Sequence, residues 1–237
     1  MIQQHRQQER AQNRSVSCAW RGLLMSWKYG RTYHLPMSPG ATSDDKIMRD
    51  AATLQAMPEI IATEKMDGEN TTIFSGGCHP RSLDARYHPS RDWIKALAAG
   101  ISPQLASNER IVGEYLFAQH SVIYDALPSY FLGFAWIVDG VVQGWDETQQ
   151  RFGELGIHSV SILYRGPYSD DAIDTLISRP DCAKQEGFVV RSAGRVDEDE
   201  MHAHLAKYVR ADHVQSDTHW MNAQVGKTDW LNDRVLP

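Results

Sequence analysis

The feature that most restricts the fold is a series of short β-rich runs broken by turn residues. The run "YFLGFAWIVDGVVQGW" carries Asp139-Gly140 between two β-rich halves, a pair typical of a tight hairpin. Other strand-like runs are "IIATEK", "NTTIFSGG", "RIVGEYLFA", "SVSILY", "EGFVVRS" and "KYVRA". Helical stretches lie between them, so we expect an α+β domain of antiparallel sheets flanked by helices.

Three segments between these runs have helix start or stop signals. Ser90 is a candidate N-cap for "RDWIKALAAG", which would end at Gly100. Asp146 is a candidate cap for "ETQQRFGEL", with Gly156 as its end. The segment "DEDEMHAHLA" predicts a third helix, led by acidic residues that favour a helix N-terminus.

The ends of the chain differ in composition from its middle. The opening "MIQQHRQQERAQNRS" is rich in Gln and Arg and poor in apolar residues, and we predict a disordered tail over residues 1–27. An arginine-rich arm that contacts nucleic acid is the functional alternative, and Met25 could equally be the start of the protein. We expect one domain over residues 28–220 and a C-terminal tail over 221–237.

Composition limits the setting in which the protein works. Acidic residues outnumber basic ones by 30 to 24, so any site for a polyanion must be a local cluster. Cys18, Cys78 and Cys182 have no metal-binding or paired spacing. No apolar run is long enough to cross a membrane, and the N-terminus lacks a secretory signal. These features predict a cytoplasmic protein without membrane partners.

The segment Lys65-Met66-Asp67-Gly68 interrupts two strand-like runs with a cation, an acid and a glycine. Such a tetrapeptide is by itself more typical of a hairpin turn than of an active site. Four later stretches give it weight because each carries a charged residue of a kind used in phosphate chemistry. They are "PRSLD" with Arg81, "VGEYLF" with Glu114, "EGFVVR" with Glu186 and "AKYVR" with Lys207.

The ordered set resembles the motifs of the covalent nucleotidyltransferases, which include ATP-dependent DNA ligases, RNA ligases and mRNA capping enzymes. Glu64 just before Lys65, and Asn70 five residues after it, make it most similar to the second family of ATP-dependent RNA ligases, the phage and trypanosome editing type. The resemblance covers roughly Lys28 to His219. It implies an ATP-grasp-like nucleotidyltransferase domain.

The resemblance also implies roles for individual residues. Lys65 would attack the α-phosphate of ATP and form lysyl-AMP, and Lys207 with Mg²⁺ or Mn²⁺ would stabilise the developing charge. Glu114 would accept from ribose hydroxyls and Glu186 would hold metal-bound water. The remaining residues implied in nucleotide binding are Glu64, Asn70, Arg81, Phe134, which would stack on the base, and Arg210.

Each assignment has a structural alternative. Glu114 and Glu186 could pair with basic residues on a solvated sheet face, and Lys207 could be an exposed edge-strand charge. Phe134 lies in so apolar a run that it could be plain core. One departure from the family pattern is Val209, which stands where a second lysine is usual; Arg210 follows it and would face away on an ideal strand unless a bulge turns it.

Two other clusters of residues are candidate binding sites. The basic residues of "RSLDARYHPSRDWIK" are a candidate site for backbone phosphates or an ordinary helix face; they are Arg81, Arg86, Arg91 and Lys95. Four histidines lie close together in the C-terminal part of the sequence and are a candidate structural zinc site; they are His202, His204, His213 and His219.

We therefore expect an ATP-dependent RNA ligase that joins RNA 5′-phosphate and 3′-hydroxyl ends in RNA repair. The alternatives are a nucleotide- or RNA-end-binding module of the same fold without turnover, and an ATP-dependent DNA ligase. Only a short segment follows Lys207, so we expect neither an OB-fold domain nor the helical C-terminal domain of many related ligases. Strand sealing could then require an accessory protein that supplies substrate binding.

Overall fold

The computed structural model describes residues 28–82, 88–179, 184–211 and 213. The predicted tails over 1–27 and 221–237 lie outside these ranges, as do Arg86, His219, Cys18 and Cys182. None of the helices in the described ranges has the length and apolar character needed to cross a membrane.

The chain forms twelve named strands and five α-helices over the described residues. The strands are β1 (Tyr33–His34), β2 (Ile60–Lys65), β3 (Glu69–Phe74), β4 (Gly77–Pro80), β5 (Glu109–Tyr115), β6 (Phe131–Val138), β7 (Val141–Val142), β8 (His158–Ser159), β9 (Ile162–Gly166), β10 (Gly187–Ser192), β11 (Val196–Asp197) and β12 (Leu205–Val209). The helices are α1 (Ala52–Gln55), α2 (Asp92–Ile101), α3 (Trp145–Leu155), α4 (Asp170–Ile177) and α5 (Met201–His204).

The strands form two sheets. The first has the order β1-β12-β10-β2-β9, and the second has the order β11-β7-β6-β5-β3-β4 with β8 added beside β6. The pairings are antiparallel except for β1 with β12 and β6 with β8, which are short and parallel. The prediction of an α+β domain with antiparallel sheets and flanking helices is confirmed, with these two parallel pairs as additions.

The hairpin that joins β6 to β7 forms where Asp139-Gly140 predicted it. Both residues have positive φ angles, 52° and 79°, which match the right-handed twist of the flanking strands. Glycine accepts this conformation without strain, and aspartate tolerates it better than most residues. The second sheet can therefore reverse direction within two residues.

Two of the predicted helix starts are wrong. Ser90 lies inside a 3₁₀ turn over Pro89–Arg91, where its N–H is bonded to the His88 side chain, and α2 begins only after that turn. Helix α2 also continues one residue past Gly100. Helix α3 begins after Gly144, so Asp146 lies in its first turn and is not its cap.

The other two helix signals agree with the structure at least in part. Gly156 ends α3 with a left-handed φ of 67°, as expected for a glycine at a helix C-terminus. The acidic run Glu198–Glu200 forms a 3₁₀ turn ahead of α5, which is only four residues long. That helix is shorter than predicted because β12 already begins at Leu205.

Apolar side chains form layers on both sides of each sheet. On the outer face of the first sheet, Leu54 of α1 and Ile173 of α4 pack against Ile60 and Phe188. On the second sheet, α2 and α3 pack against β3 and β5. Two further clusters join the inner faces of the sheets. The helices thus cover the outside and leave the space between the sheets for a cavity.

Candidate active site

A cavity of about 460 Å³ opens between the two sheets. Its wall is formed by strands of both sheets and by two stretches near the N-terminal end of the described chain. Most of the residues singled out from the sequence line it: Glu64, Lys65, Asn70, Arg81, Glu114, Phe134 and Lys207. These residues come from positions far apart in the sequence, so the fold brings the ordered motifs to one place.

Lys65 is the last residue of β2, where the strand reaches the cavity. Its Nζ lies 2.5 Å from Oε2 of Glu186, and the two side chains are mostly buried. Burial by itself would lower the pKa of the Lys65 ammonium, but the negative charge of Glu186 outweighs it and the pKa is raised. Lys65 is therefore a protonated cation paired with Glu186.

Glu114 lies on β5 directly opposite Asn70 of β3. Burial raises the pKa of its carboxyl to about 8, although the Lys65 charge acts in the other direction. At neutral pH the carboxyl is therefore mainly protonated. Oδ1 of Asn70 is buried and has no hydrogen-bond partner within the described residues. The Glu114 carboxyl accepts a hydrogen bond from the Gly68 backbone N–H, whereas the Asn70 oxygen is available to a polar ligand.

Asp67 is a site residue that the sequence analysis did not select, although it lies inside the Lys65–Gly68 tetrapeptide. Its Oδ2 accepts hydrogen bonds from the backbone N–H groups of Ser121 and Val122, at 2.7 and 2.9 Å. Its own N–H donates to the Tyr124 hydroxyl at 2.7 Å. The loop between β5 and β6 thus fixes Asp67 beside the lysine.

Asp67, Glu186 and His213 place one possible metal-ligand atom each within 4.8 Å of one another. His213 was predicted as one of a group of zinc-binding histidines. In the described part of the chain it lies instead 3.6 Å from Glu186, and neither His202 nor His204 joins a metal-binding group. His202 is exposed, and its ring contacts the carbonyl of Asp199 in the preceding turn.

Phe134 and Arg191 lie in contact with each other in the wall of the cavity. The Phe134 ring packs edge-on against Tyr29 at 5.5 Å and also joins the apolar clusters between the sheets. Arg191 is buried, donates to the Phe134 carbonyl, and lies over the Phe134 ring at 5.8 Å. Arg191 was missed; its signal is the final arginine of the quoted stretch "EGFVVR".

Two predicted site residues do not line the cavity. Glu186 reaches it only through its contact with Lys65. Arg210 lies beyond the end of β12, and its Nε donates to the carbonyl of Gln185 at 2.7 Å. The pairing of β12 with β10 has no bulge within the described strands, and Val209 is buried. The bulge that would turn Arg210 toward Lys207 is therefore absent there.

The basic stretch proposed for backbone phosphates is only partly exposed. Arg91 is buried and forms an ion pair with Glu69, because α2 packs its first turn against β3. Lys95 is exposed and lies 3.6 Å from Asp92. Arg81 lines the cavity and donates to the carbonyl of Tyr29 at 3.2 Å. These side chains do not form a continuous surface patch.

Comparison with known proteins gives one family. The RNA ligase family model matches residues 58–209, which cover strands β2 to β12 and the lysine, glutamate and basic motifs. A search of curated proteins gave no match.

Solved structures share the fold at low sequence identity. An Aquifex aeolicus protein described as an ATP-dependent DNA ligase has 16% identity and a TM-score of 0.50, over 78% of this chain and 50% of that one. A Naegleria gruberi RNA ligase variant with ATP and Mn has 13% identity and a TM-score of 0.50, over 79% of this chain and 60% of that one. Another variant of it, also with ATP and Mn, has 15% identity and a TM-score of 0.50, over 79% and 61%. The chain thus spans between half and two thirds of these proteins.

Proposed function

Because the chain belongs to the RNA ligase family, we propose that it is an ATP-dependent RNA ligase that joins 5′-phosphate and 3′-hydroxyl RNA ends in RNA repair. The observation that carries the proposal is the position of Lys65. It lines the cavity and belongs to the region that the family model matches. Glu186 contacts it directly, and Glu114 and Lys207 line the same cavity. A hairpin turn with an incidental lysine would not place these groups together.

The cavity fits ATP in size and chemistry. Its volume of about 460 Å³ lies in the ordinary range for small-molecule sites. Phe134 and Val189 offer apolar surfaces for a base, and the free Oδ1 of Asn70 offers an acceptor. Arg81 and Lys207 supply donors and positive charge for ribose and phosphate oxygens. We assign these residues to nucleotide binding on that basis.

A divalent cation fits beside the lysine. Asp67 and Glu186 offer the carboxylate oxygens that Mg²⁺ and Mn²⁺ accept, and His213 offers a nitrogen. Such an ion would stabilise negative charge on the phosphates. Lys65 itself reacts only as the neutral amine, so its ion pair with Glu186 must open and its proton must leave before attack.

The proposed reaction has three steps. Lys65 Nζ forms a bond to the α-phosphorus of ATP while the bond to pyrophosphate breaks, which gives lysyl-AMP. The AMP is then transferred to an RNA 5′-phosphate. Attack by the RNA 3′-hydroxyl on that phosphate forms the phosphodiester bond and releases AMP. Lys207 would stabilise the charge that develops on the phosphate in the first step.

The test is covalent labelling with ATP radiolabelled at the α-phosphate, checked by a mass increase of one AMP. We expect labelling of the unaltered protein and none of Lys65→Ala, because Lys65 is the amine that contacts Glu186, whereas Lys207, the other lysine of the described cavity, is paired with Asp45. Lys95→Ala is the matched control, since Lys95 is exposed on α2 away from the cavity. Labelling that survives Lys65→Ala would refute the assignment. ATP binding without labelling of the unaltered protein would favour a binding module without turnover.

A further inference from the structure

Asp45 approaches Lys207 from the loop between β1 and α1. Its Oδ1 lies 3.1 Å from Lys207 Nζ, and both side chains are about four-fifths buried, with exposed fractions of 20% and 19%. Both residues line the cavity. No sequence motif pointed to Asp45, which lies 162 positions from its partner.

The carboxylate of Asp45 is held in a fixed position. Oδ2 accepts from the backbone N–H of Thr42 at 3.2 Å and from its hydroxyl at 3.0 Å. His34 Nε2 lies 3.4 Å from the same oxygen. Burial would raise the pKa of Asp45, but the hydrogen bonds from Thr42 and Lys207 hold it well below its ordinary value. Asp45 is therefore an anion at neutral pH.

The loop that carries Asp45 is fastened to the strand that carries Lys207. His34 pairs with Lys207 in register between β1 and β12, and the His34 N–H donates to the carbonyl of Lys46 at 2.7 Å. The Gly40 N–H donates to the carbonyl of Val209 at 3.0 Å. Ser38 accepts from the Val209 N–H at 2.9 Å. The loop that carries the Asp45 carboxylate is thus bonded to β12, the strand that carries the Lys207 ammonium.

We propose that Asp45 is a positioning residue for Lys207. A lysine side chain has four rotatable bonds, and a free one loses much rotamer freedom when it binds a phosphate. An ammonium has three N–H donors, and the contact with Asp45 uses one of them, so two remain for phosphate oxygens. This inference rests on the proposed function, because it assumes that Lys207 acts on the phosphates of ATP.

The kinetic test uses the full chain with Asp45→Asn, which keeps the shape of the side chain and removes its charge. In single-turnover labelling of Lys65 we expect a maximal rate about tenfold lower, because a loosely placed cation stabilises the transition state less. The half-saturating ATP concentration should change much less. Asp171→Asn, an exposed charge on α4, is the matched control and should behave as the unaltered protein.

A double-mutant cycle tests whether Asp45 acts through Lys207. In a Lys207→Ala background, Asp45→Asn should cause no further loss of rate. The same fold loss in both backgrounds would overturn the proposal. A higher rate or tighter ATP binding in Asp45→Asn would also overturn it, because Asp45 would then be competing with the phosphates for Lys207.

A test that needs no catalysis separates this inference from the proposed function. We expect the Lys207 amine to react several-fold faster with an acylating reagent in Asp45→Asn, because the carboxylate that contacts the amine at 3.1 Å is then gone. Peptide mass spectrometry measures this, with Lys95 as the internal reference. Unchanged reactivity of Lys207 would refute the positioning contact whether or not Lys65 is labelled. Absence of labelling in the unaltered protein would refute the proposed function alone. Unfolding temperatures of all variants identify any that do not fold.

Discussion

Glu114 illustrates at the residue scale how burial changes the behaviour of an acid. Its pKa is raised from an ordinary 4.5 to about 8, so the folded protein keeps a proton that the unfolded chain releases. The stabilising contribution of this group is complete below the lower value and is lost as pH rises toward the higher one. The unfolding temperature of the nucleotide-free protein should therefore fall across this range.

Glu114→Gln removes the titrating group and should flatten that part of the stability profile. Thermal unfolding between the two pKa values, followed by circular dichroism, measures the change. Glu200→Gln is the control, because Glu200 is exposed ahead of α5. An unchanged slope in Glu114→Gln would mean that the Glu114 carboxyl is ionised in the folded protein.

Replacing Lys207 or Arg210 should have effects of very different size, although the two residues are close in sequence. Lys207→Ala should slow labelling of Lys65 by orders of magnitude, because one placed cation on a developing charge contributes roughly 3 to 4 kcal/mol. Arg210→Ala should be much milder, since Arg210 donates to the Gln185 carbonyl and does not line the cavity. Rapid-quench labelling compares them. Equal losses would indicate that the chain bends during the reaction and brings Arg210 to the phosphates.

At the scale of elements, the turn between β2 and β3 depends on close contact with β5. A Cβ on Gly68 would lie 2.5 Å from the carbonyl oxygen of Tyr115 and 2.8 Å from the Leu116 side chain. The backbone contact cannot yield as a flexible side chain would. The tetrapeptide that begins at Lys65 is therefore packed, at Gly68, against the strand that carries Glu114.

Gly68→Ala should consequently destabilise the fold by about 1 to 3 kcal/mol and slow labelling of Lys65. Gly153→Ala on α3 is the matched change, because a Cβ there meets nothing within 4 Å and alanine favours a helix. We expect it to leave labelling unchanged and to raise stability by about 0.5 to 1 kcal/mol. Urea unfolding and labelling rates test both; equal effects would show that β5 accommodates the extra carbon.

At the scale of the whole molecule, the distribution of charge affects how a polynucleotide can bind. Net charge is −6 over the chain, and one predicted surface cation, Arg91, is buried in an ion pair. Binding to a polynucleotide should thus use few phosphate contacts, and the logarithmic dependence of activity on salt should be shallow. Preference for RNA would come from recognition of the 2′-hydroxyl at the 3′-end.

Matched nicks with RNA or DNA on the 3′-hydroxyl side, compared across a salt series, test this preference. We expect the RNA-sided nick to be sealed and the all-DNA nick to be sealed poorly. Equal or better sealing of DNA would overturn the RNA preference and leave the chemistry of Lys65 intact. A steep salt dependence would indicate that further basic residues contact the strand.

The sequence alone was sufficient for features that depend on neighbouring residues. Strand β2 matches its predicted run, and the hairpin at Asp139-Gly140 forms. Local pattern predicts these because a strand period or a turn conformation is written in consecutive residues.

Only the tertiary structure decided which charges meet. Asp45 with Lys207, His213 with Glu186, and Arg91 with Glu69 join residues that lie far apart in the chain. Each pair follows from strand order and helix packing, which bring together segments whose local sequences carry no record of one another. The burial that raises the pKa of Glu114 has the same origin, since desolvation depends on the surrounding fold and not on adjacent residues.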